Sequence, residues 1–322
     1  MNNEHTAQLK ELIRYATLAP SSHNTQCWKF RLEDRAITIL PDLSRRCPVV
    51  DPDDHHLYVS LGCAAENLIQ AAQAQGLSGQ FTFNTSGDGS IKIALEPSTT
   101  TLTALFEAIP HRQCTRAEYD GKPLSPEEIK LLEMTGEGDG VRVIMLTERS
   151  EIETVLDYVV QGNTAQINNN AFMKELKSWI RFNDQEAART GDGLSSRTTG
   201  NPSIPRWLGS LLFKLLIQVQ PENDKNTRYI RSSAGIAVFV SDVNDKAHWV
   251  EVGRCYERFA LQATALGIRN AFVNQPVEEA SLRPAFARAL GLESGRPDLV
   301  VRFGRGVAMP SSLRRSLEAV IV

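Results

Sequence analysis

The sequence lacks the features that would place it at once among secreted, zinc-binding or membrane-spanning proteins. Its five cysteines are scattered without a Cys-x-x-Cys pair, so we expect reduced thiols and no cysteine-based zinc site. The most apolar stretch, LGSLLFKLLI at 208–217, is shorter than the roughly 18–20 residues that a helix needs to cross a bilayer. The first twenty residues contain no basic region followed by an apolar run, which predicts a cytoplasmic protein.

The chain also has no excess of charge of either sign. Its 322 residues include 35 Lys and Arg against 38 Asp and Glu, which gives a net charge of −3. This balance provides no electrostatic footprint for a nucleic acid or an anionic membrane as partner. A hydrophobic content of 42% is ordinary for a globular protein and is enough for one large core or two smaller ones.

Two Ala-rich segments resemble each other at a constant offset. YVSLGCAAENLIQAAQAQGL at 58–77 and WVEVGRCYERFALQATALGI at 249–268 both show helical spacing of apolar residues and a glycine near their ends. With 58 set against 249, the matching positions are Val59, Gly62, Glu66, Ala72, Ala74 and Gly76 against Val250, Gly253, Glu257, Ala263, Ala265 and Gly267. Matching glycines at both ends favour an internal duplication over a chance likeness of two Ala-rich helices.

Helices and strands alternate on both sides of these segments. Further helices are predicted over 9–20 and over 125–135, the latter opening with a Ser-x-x-Glu capping box. The predicted strands cover 28–33, 36–41, 79–85, 90–96, 141–146, 236–242 and 298–304. We therefore expect an α+β protein in which each half contributes to a sheet and the two Ala-rich helices pack at the centre.

The predicted halves are 1–105 and 106–322, and a long segment stands apart within the second. Residues 181–233 are rich in Gly, Ser, Asn and Pro in their first part, and an apolar helical run follows. A stretch of this length with loop chemistry inside a compact protein indicates a functional flap or a mobile linker. We refer to residues 181–233 as the lid segment.

Three motifs resemble those of nitroreductase-like flavoproteins. APSSHNTQCW at 19–28 is similar to the family's PSSxNxQPW segment, HRQCTRAEYDGKPLSPEEI at 111–129 to its R-x-S-x-R segment, and LRRSLEAVIV at 313–322 to its basic closing tail. Typical members have both of the first two segments in each subunit, and two subunits enclose two FMN molecules. Here one of each is present, on opposite halves. The resemblance is closest to the Acg-like subfamily of single-chain proteins, which implies a nitroreductase-like fold, an intramolecular pseudo-dimer and one FMN per chain.

The resemblance also implies which residues contact FMN: Pro20, Ser21, Ser22, Asn24, Gln26, Arg112, Cys114, Arg116, Gln166, Asn170, Asn274, Gln275, Arg314 and Arg315. Arg112 and Arg116 would meet the phosphate and the electron-rich edge of the ring. Cys114 stands where the family has serine or threonine. On local sequence alone, surface charge explains the arginines and a helix-to-strand turn explains the serines. No catalytic side chain is implied, because the redox chemistry belongs to the flavin.

The histidines of the sequence fit no metal-ligand pattern, and no metal is expected. DPDDHH at 51–56 stands at the start of a predicted helix, where its aspartates are expected to cap the helix and complement its dipole.

The function implied is NAD(P)H-dependent reduction of a small-molecule acceptor such as a nitroaromatic or a quinone. An FMN storage protein, with the flavin covered by the lid segment and little turnover, is the alternative. A scaffold that has lost the cofactor is a third reading, suggested by Cys114 and by Cys27, where the family has proline. Because one chain supplies both halves, a monomer is feasible, and exposed apolar surface would favour a homodimer.

Overall fold

The computed structural model describes residues 3–322 and confirms the expected α+β class. The helices are α1 (Asn3–Ala16), α2 (His55–Ala74), α3 (Ala104–Ala108), α4 (Pro126–Gly136), α5 (Arg149–Asn168), α6 (Asn170–Trp179), α7 (Asp184–Thr190), α8 (Ser196–Thr199), α9 (Arg206–Leu216), α10 (Val219–Arg231), α11 (Lys246–Ala265), α12 (Gln275–Glu278), α13 (Arg283–Ala289) and α14 (Leu317–Val320). The strands are β1 (Trp28–Glu33), β2 (Ala36–Pro41), β3 (Leu77–Asn84), β4 (Ser90–Pro97), β5 (Val141–Leu146), β6 (Ile180–Arg181), β7 (Leu194–Ser195), β8 (Gly235–Ser241), β9 (Arg269–Phe272) and β10 (Arg296–Gly304).

The longer strands form two antiparallel sheets, one from each part of the chain. The first has the strand order β1-β2-β4-β3 and the second β5-β8-β10-β9, while β6 and β7 form a short parallel pair. Strands β1, β2 and β5 begin and end at the predicted residues. Every residue of β8 and β10 is buried, so these strands lie inside the protein rather than at its surface.

Helices α2 and α11 cross where one glycine of each helix contacts the backbone of the other helix. A Cβ added to Gly62 would lie 2.0 Å from the carbonyl oxygen of Val250, and one added to Gly253 would lie 2.0 Å from that of Val59. Only glycine allows two helix backbones to approach this closely. The predicted helices are confirmed, and both start and end three residues earlier than expected. The contact is reciprocal, because Gly62 and Gly253, like Val59 and Val250, are positions that the constant offset matches in the sequence.

The predicted helix over 125–135 is also confirmed, with the structure placing it at Pro126–Gly136. Its capping box forms as expected: Ser125 Oγ accepts from the backbone N–H of Glu128, whose carboxylate accepts from the N–H of Ser125. The largest hydrophobic cluster joins α1, α2 and α11 to one face of both sheets, and a second lies beneath α5 on β8 and β10. These two clusters hold the framework on which the lid segment lies.

The lid segment begins at the second residue of β6 and contains β7, which pairs with β6, and helices α7 to α10. Its Gly- and Ser-rich first part includes the short helices α7 and α8, and the apolar run forms α9 as predicted. A small cluster of its own, which includes Phe182 and Phe213, packs against Cys47 and Val50 of the first half. Over residues 3–322, none of the helices is long and apolar enough to traverse a bilayer.

Candidate functional site

A cavity of about 370 Å³ lies where the first half, the second half and the lid segment meet. Its volume falls within the range of about 300–1,000 Å³ that is typical of small-molecule sites. Its walls include the residues that follow α1, one face of α2, the inner side of the lid segment, and residues of α5, α6 and α12. The walls include Pro20, Ser21, Ser22, His23, His56, Ser60, Cys63, Arg116, Asn163, Gln166, Phe182, Phe213, Lys225, Asn274, Gln275 and Glu278.

The first wall is the serine loop, which we define as residues 19–26. It folds into a 3-10 turn at Ser22–Asn24, and three non-glycine residues have left-handed backbone: His23 with φ of 49°, Asn24 with 54° and Gln26 with 53°. Such conformations are costly for side chains other than asparagine and persist only where the surroundings fix them. Within the loop, Ser21 Oγ accepts a hydrogen bond of 2.9 Å from the backbone N–H of Gln26.

Two amide side chains of the serine loop fasten it to the lid segment. Asn24 Nδ2 donates to the carbonyl oxygen of Gly193 at 3.1 Å, and Gln26 Nε2 donates to that of Gly191 at 2.8 Å. Gln26 Oε1 also accepts from the backbone N–H of Arg315 at 2.8 Å. Neither amide lines the cavity, so both support the loop rather than face a ligand.

Two predicted arginines hold the serine loop from behind. Arg112 Nη2 donates to the carbonyl oxygen of Leu18 at 2.9 Å, and Arg314 donates to the carbonyl oxygens of Thr17 at 2.7 Å and Leu18 at 2.9 Å. These carbonyls follow the C-terminus of α1, where cations satisfy unpaired acceptors. Neither arginine lines the cavity. The arginine segment and the serine loop therefore meet, with these two side chains in positioning roles.

Arg112 is further fixed by a buried carboxylate. Its Nε lies 3.1 Å from Glu257 Oε1, and the two side chains are 3% and 0% exposed. Burial raises the pKa of Glu257 to about 7, although the guanidinium of Arg112 acts in the opposite direction. Burial likewise lowers the pKa of Arg314 to about 9, with Arg112 contributing as a neighbouring positive charge. A ligand would have to break this buried arrangement to reach Arg112.

Arg116 differs from the other predicted arginines because it lines the cavity. It is half-buried, and its guanidinium has no ion pair or hydrogen bond among residues 3–322. Its charge reaches the serine loop, since burial first and Arg116 second lower the pKa of His23 to about 4. The wall therefore presents an unpaired cation beside a neutral imidazole and the two serines.

A further part of the cavity wall is formed by amides and one carboxylic acid. Gln166 Nε2 donates to Glu278 Oε2 at 2.7 Å, and Asn274 Oδ1 accepts from the backbone N–H of Val300 at 2.8 Å. Gln275 Oε1 is buried without a hydrogen-bond partner among the described residues. Burial raises the pKa of Glu278 to about 7, against the effect of the Gln166 hydrogen bond. This part of the wall thus offers polar groups that still have bonding capacity.

Three other predicted residues lie outside the cavity wall. Asn170 is exposed at the start of α6, and its Oδ1 accepts from Lys214 Nζ at 3.3 Å. Cys114 is half-buried and pairs through its backbone with Asn270. Arg315 donates to the carbonyl oxygen of Ala319 at 2.8 Å and lies at the outer side of the serine loop.

A buried ion-pair cluster fastens the lid segment to the first half, and we call it the latch. Asp192 accepts from Arg181 within the lid at 2.7 Å and from Arg45 of the first half. Both guanidinium groups lie near the ring of Trp179, at 5.8 Å and 5.3 Å from its centroid. Burial opposes ionisation of Asp192, but the hydrogen bonds from Arg181 and Arg45 outweigh it and hold the pKa of Asp192 below its usual range.

Sequence reasoning missed the α2 wall of the cavity and most of the lid residues. His56, Ser60 and Cys63 lie on one face of α2 because they are four and then three positions apart. That spacing could have been read from the sequence, but nothing in it shows which face of a fully buried helix borders a cavity. Phe182, Phe213 and Lys225 carry no sequence signal at all.

The chain is similar over nearly its whole length to two curated relatives. Both are proteins of Mycobacterium tuberculosis, from two strains, and both bear the name "Putative NAD(P)H nitroreductase". Each is 24% identical over 329 residues, which covers 97% of this chain and 90% of the relative. No family model matches the chain.

Solved structures show a more distant likeness. A nitroreductase of Bacteroides fragilis with bound FMN is 14% identical, with a TM-score of 0.40 over 66% of this chain and 96% of its own. The FMN-dependent nitroreductase NfnB of Mycobacterium smegmatis in complex with NADPH is also 14% identical, with a TM-score of 0.42 over 67% and 96%. The shared name and full-length coverage of the curated relatives support the resemblance to the nitroreductase family.

Proposed function

We propose that this protein is an FMN-binding oxidoreductase of the nitroreductase type, which uses NAD(P)H to reduce a small flat acceptor such as a nitroaromatic or a quinone. The name of the two curated relatives supports this class. The observation that supports FMN as the cofactor is the position of Arg116. This cation has no partner in the described chain and lies on the wall of a cavity lined by neutral hydrogen-bonding groups.

The residues of the cavity suit the chemistry of FMN. An unpaired guanidinium matches the phosphate or the electron-rich edge of the ring, both of which take charge-assisted hydrogen bonds. Ser21, Ser22 and the amides of Asn274 and Gln275 would supply neutral hydrogen bonds, and the unpartnered Gln275 Oε1 is available for a ring N–H. Gln166 completes this set. Arg112, Arg314, Asn24 and Gln26 would act through the position of the serine loop.

FMN supplies hydride transfer when bound, and the protein supplies the environment for it. Arg116 places positive charge in the cavity, which favours an anionic group there. The serine loop and its arginine clamp orient donors that need not rearrange during reaction. The lid segment lines the cavity with the apolar rings of Phe182 and Phe213, which would limit the access of water to a bound flavin. Glu278, with its raised pKa near neutrality, can hold a proton in the amide-lined part of the wall.

We also propose that residues 1–105 and 106–322 are two nitroreductase-like halves of one chain, as in the Acg-like subfamily, with a single FMN between them. The reciprocal contact of Gly62 with Val250 and of Gly253 with Val59 supports an internal two-fold relation. The two four-stranded sheets support it as well. One half contributes the serine loop and the other contributes Arg116, so the cavity needs both.

A second candidate function is storage of FMN with little turnover. The latch and the amide hydrogen bonds of the serine loop hold the lid segment over the cavity, which would also keep nicotinamide and acceptor away. On this alternative the protein would be yellow and nearly inactive, and loosening the lid would raise its NAD(P)H oxidation rate.

The test is the absorbance spectrum of the purified protein after addition of FMN and gel filtration, with the flavin-to-protein ratio. We expect one FMN per chain. Replacing Arg116 with Gln should weaken FMN binding by about 10–100-fold, the value of one charge-assisted hydrogen bond. Arg142→Gln is the matched control, because Arg142 is an exposed arginine that pairs with Asp242 at 3.2 Å. Protein that stays colourless, or equal retention in both variants, would refute the FMN proposal, and steady-state NAD(P)H oxidation with a quinone separates enzyme from store.

A further inference from the structure

A buried cluster of two histidines and an aspartate lies at the start of α2, behind the cavity wall. One ligand atom from each of Asp51, His55 and His56 lies within 4.8 Å of the other two. The three side chains are between 1% and 5% exposed. His56 also lines the cavity, so the cluster borders the proposed site without containing any residue assigned to FMN.

The imidazoles of this cluster have nitrogens without hydrogen bonds among the described residues. His55 Nδ1 and His56 Nε2 are buried and have no hydrogen-bond partner among the described residues. Native proteins satisfy nearly all buried polar atoms, so such groups need an explanation, and a bound ion is one. An orphaned imidazole nitrogen is also the commonest metal ligand in proteins.

Asp51 already has a role, which the sequence predicted. Its two carboxylate oxygens accept from the backbone N–H groups of His56 and Leu57 at 3.0 Å each, so it caps α2. A carboxylate has about four lone-pair sites, and these two bonds leave the remainder free. Capping therefore accounts for Asp51 but not for the imidazoles beside it.

The surroundings of the cluster supply a second carboxylate behind one ligand. His55 Nε2 lies 2.9 Å from Asp298 Oδ1, and Asp298 is fully buried. A carboxylate behind a histidine is the usual outer partner of a metal-bound imidazole and fixes the ring orientation. Arg296, at 3.3 Å from Asp298 Oδ1, and Arg283 are the nearby positive charges that oppose a cation. Asp53, which lies 3.7 Å from Arg296, reduces that opposition.

We propose that Asp51, His55 and His56 form a site for a divalent first-row transition metal of the Zn²⁺ class, with Asp298 as its outer partner. Two histidines and a carboxylate are a ligand set of metal sites that keep a further position open. Bonds of about 2.0–2.2 Å in a tetrahedral site place two ligands of one ion about 3.5 Å apart, so ligand atoms that are up to 4.8 Å apart must turn toward the ion to close the site.

The site is independent of the FMN proposal, so its test uses the metal alone. The full chain, with any affinity tag removed and stripped by a chelator, is dialysed against Zn²⁺ and its metal content is measured. We expect one Zn²⁺ per chain, and a melting temperature that rises with Zn²⁺. His56→Gln should abolish both effects, whereas His111→Gln, at an exposed histidine, should leave them unchanged. Asp298→Asn should weaken Zn²⁺ binding by about 10–100-fold, as loss of an outer partner does.

If a variant fails to fold, metal binding by the wild-type protein alone tests the proposed site. One equivalent of Co²⁺ should give the visible absorption bands of a low-coordinate nitrogen and oxygen site, and Zn²⁺ should displace them. No stoichiometric Zn²⁺, no Co²⁺ spectrum, or equal Zn²⁺ binding by folded His56→Gln and His111→Gln would overturn the proposal.

Discussion

The α2–α11 crossing and the lid segment both join distant parts of the chain, yet they do so with different groups. At the crossing, two glycines bring backbone against backbone, and Glu66 of α2 pairs with Arg254 and Arg258 of α11 beside them at 3.3 Å and 3.1 Å. The lid segment is fastened by the latch and by the side-chain amides of Asn24 and Gln26. On the outer face of the lid segment, Trp207 and Leu211 of helix α9 are 70% and 73% exposed to solvent.

The difference separates what the fold must keep from what it can release. Close backbone packing has one geometry, and the contact of the two glycines with the facing backbone involves no ionisable group. A latch of ion pairs depends on ionisation, and its loss exposes polar groups that water can satisfy. We therefore expect the lid segment to move away from the cavity at a smaller cost in free energy than helices α2 and α11 need to separate.

The largest expected effect comes from Gly253→Ala. The new Cβ would lie 2.0 Å from the carbonyl oxygen of Val59, so the helices must separate. We expect the free energy of unfolding to fall by more than about 3 kcal/mol, since the clash is with backbone rather than a mobile side chain. Urea or thermal denaturation measures it.

Gly209→Ala in α9 is the matched control for this prediction. The new Cβ would meet the ring of the buried Phe182, a side chain that can shift further than backbone can. We expect a loss of about 1–2 kcal/mol in global stability. Equal losses in the two variants would show that the crossing and the lid segment unfold as one unit.

The sequence predicted those parts of the molecule that local chemistry decides. Strands β1, β2 and β5 and the capping box at Ser125 follow from alternation and from neighbouring residues. The role of Arg112 does not, because it depends on Glu257, which lies far away in the chain. A motif does not show whether a residue supports a site or lines it. Only the fold shows that Arg116 lines the cavity, whereas Arg112 supports the neighbouring backbone.

The second prediction concerns the latch. Asp192→Asn keeps the shape of the side chain but removes the charge that Arg181 and Arg45 share. We expect the lid segment to open more readily by about 1–3 kcal/mol, because two cations lose a largely buried partner. Hydrogen exchange over residues 181–233 and the FMN dissociation rate report the opening.

Asp184→Asn is the control for the latch variant, since it removes a carboxylate from the same segment. Asp184 lies 3.9 Å from Arg197, and both side chains are more than half exposed. An exposed pair of this kind contributes about 0–1 kcal/mol. If exchange in the two variants were indistinguishable, the latch would have no special part in holding the lid segment.

A smaller effect is expected from pH in the wild-type protein. The pKa of Asp192 is below its usual range in the folded state, so its contribution is complete above the unfolded carboxyl pKa of about 3.9. It is lost as the pH falls further, through the lowered pKa. The fluorescence of Trp179, which contacts both latch arginines, should change in that acidic range and not between pH 6 and about 8. Asp192→Asn should remove this transition.

The smallest effect on stability is expected at the outer face of α9. Leu211→Gln replaces an apolar side chain that is 73% exposed, so the melting temperature should change by less than the equivalent of about 0.5 kcal/mol. Trp207, Leu211 and Leu215 lie four residues apart along this face, and such a stripe favours contact between chains. Light scattering at rising protein concentration should therefore show less self-association in Leu211→Gln than in wild type. A loss of more than about 1 kcal/mol in dilute protein would instead mean that this face is already buried, and the contrast with the crossing would then disappear.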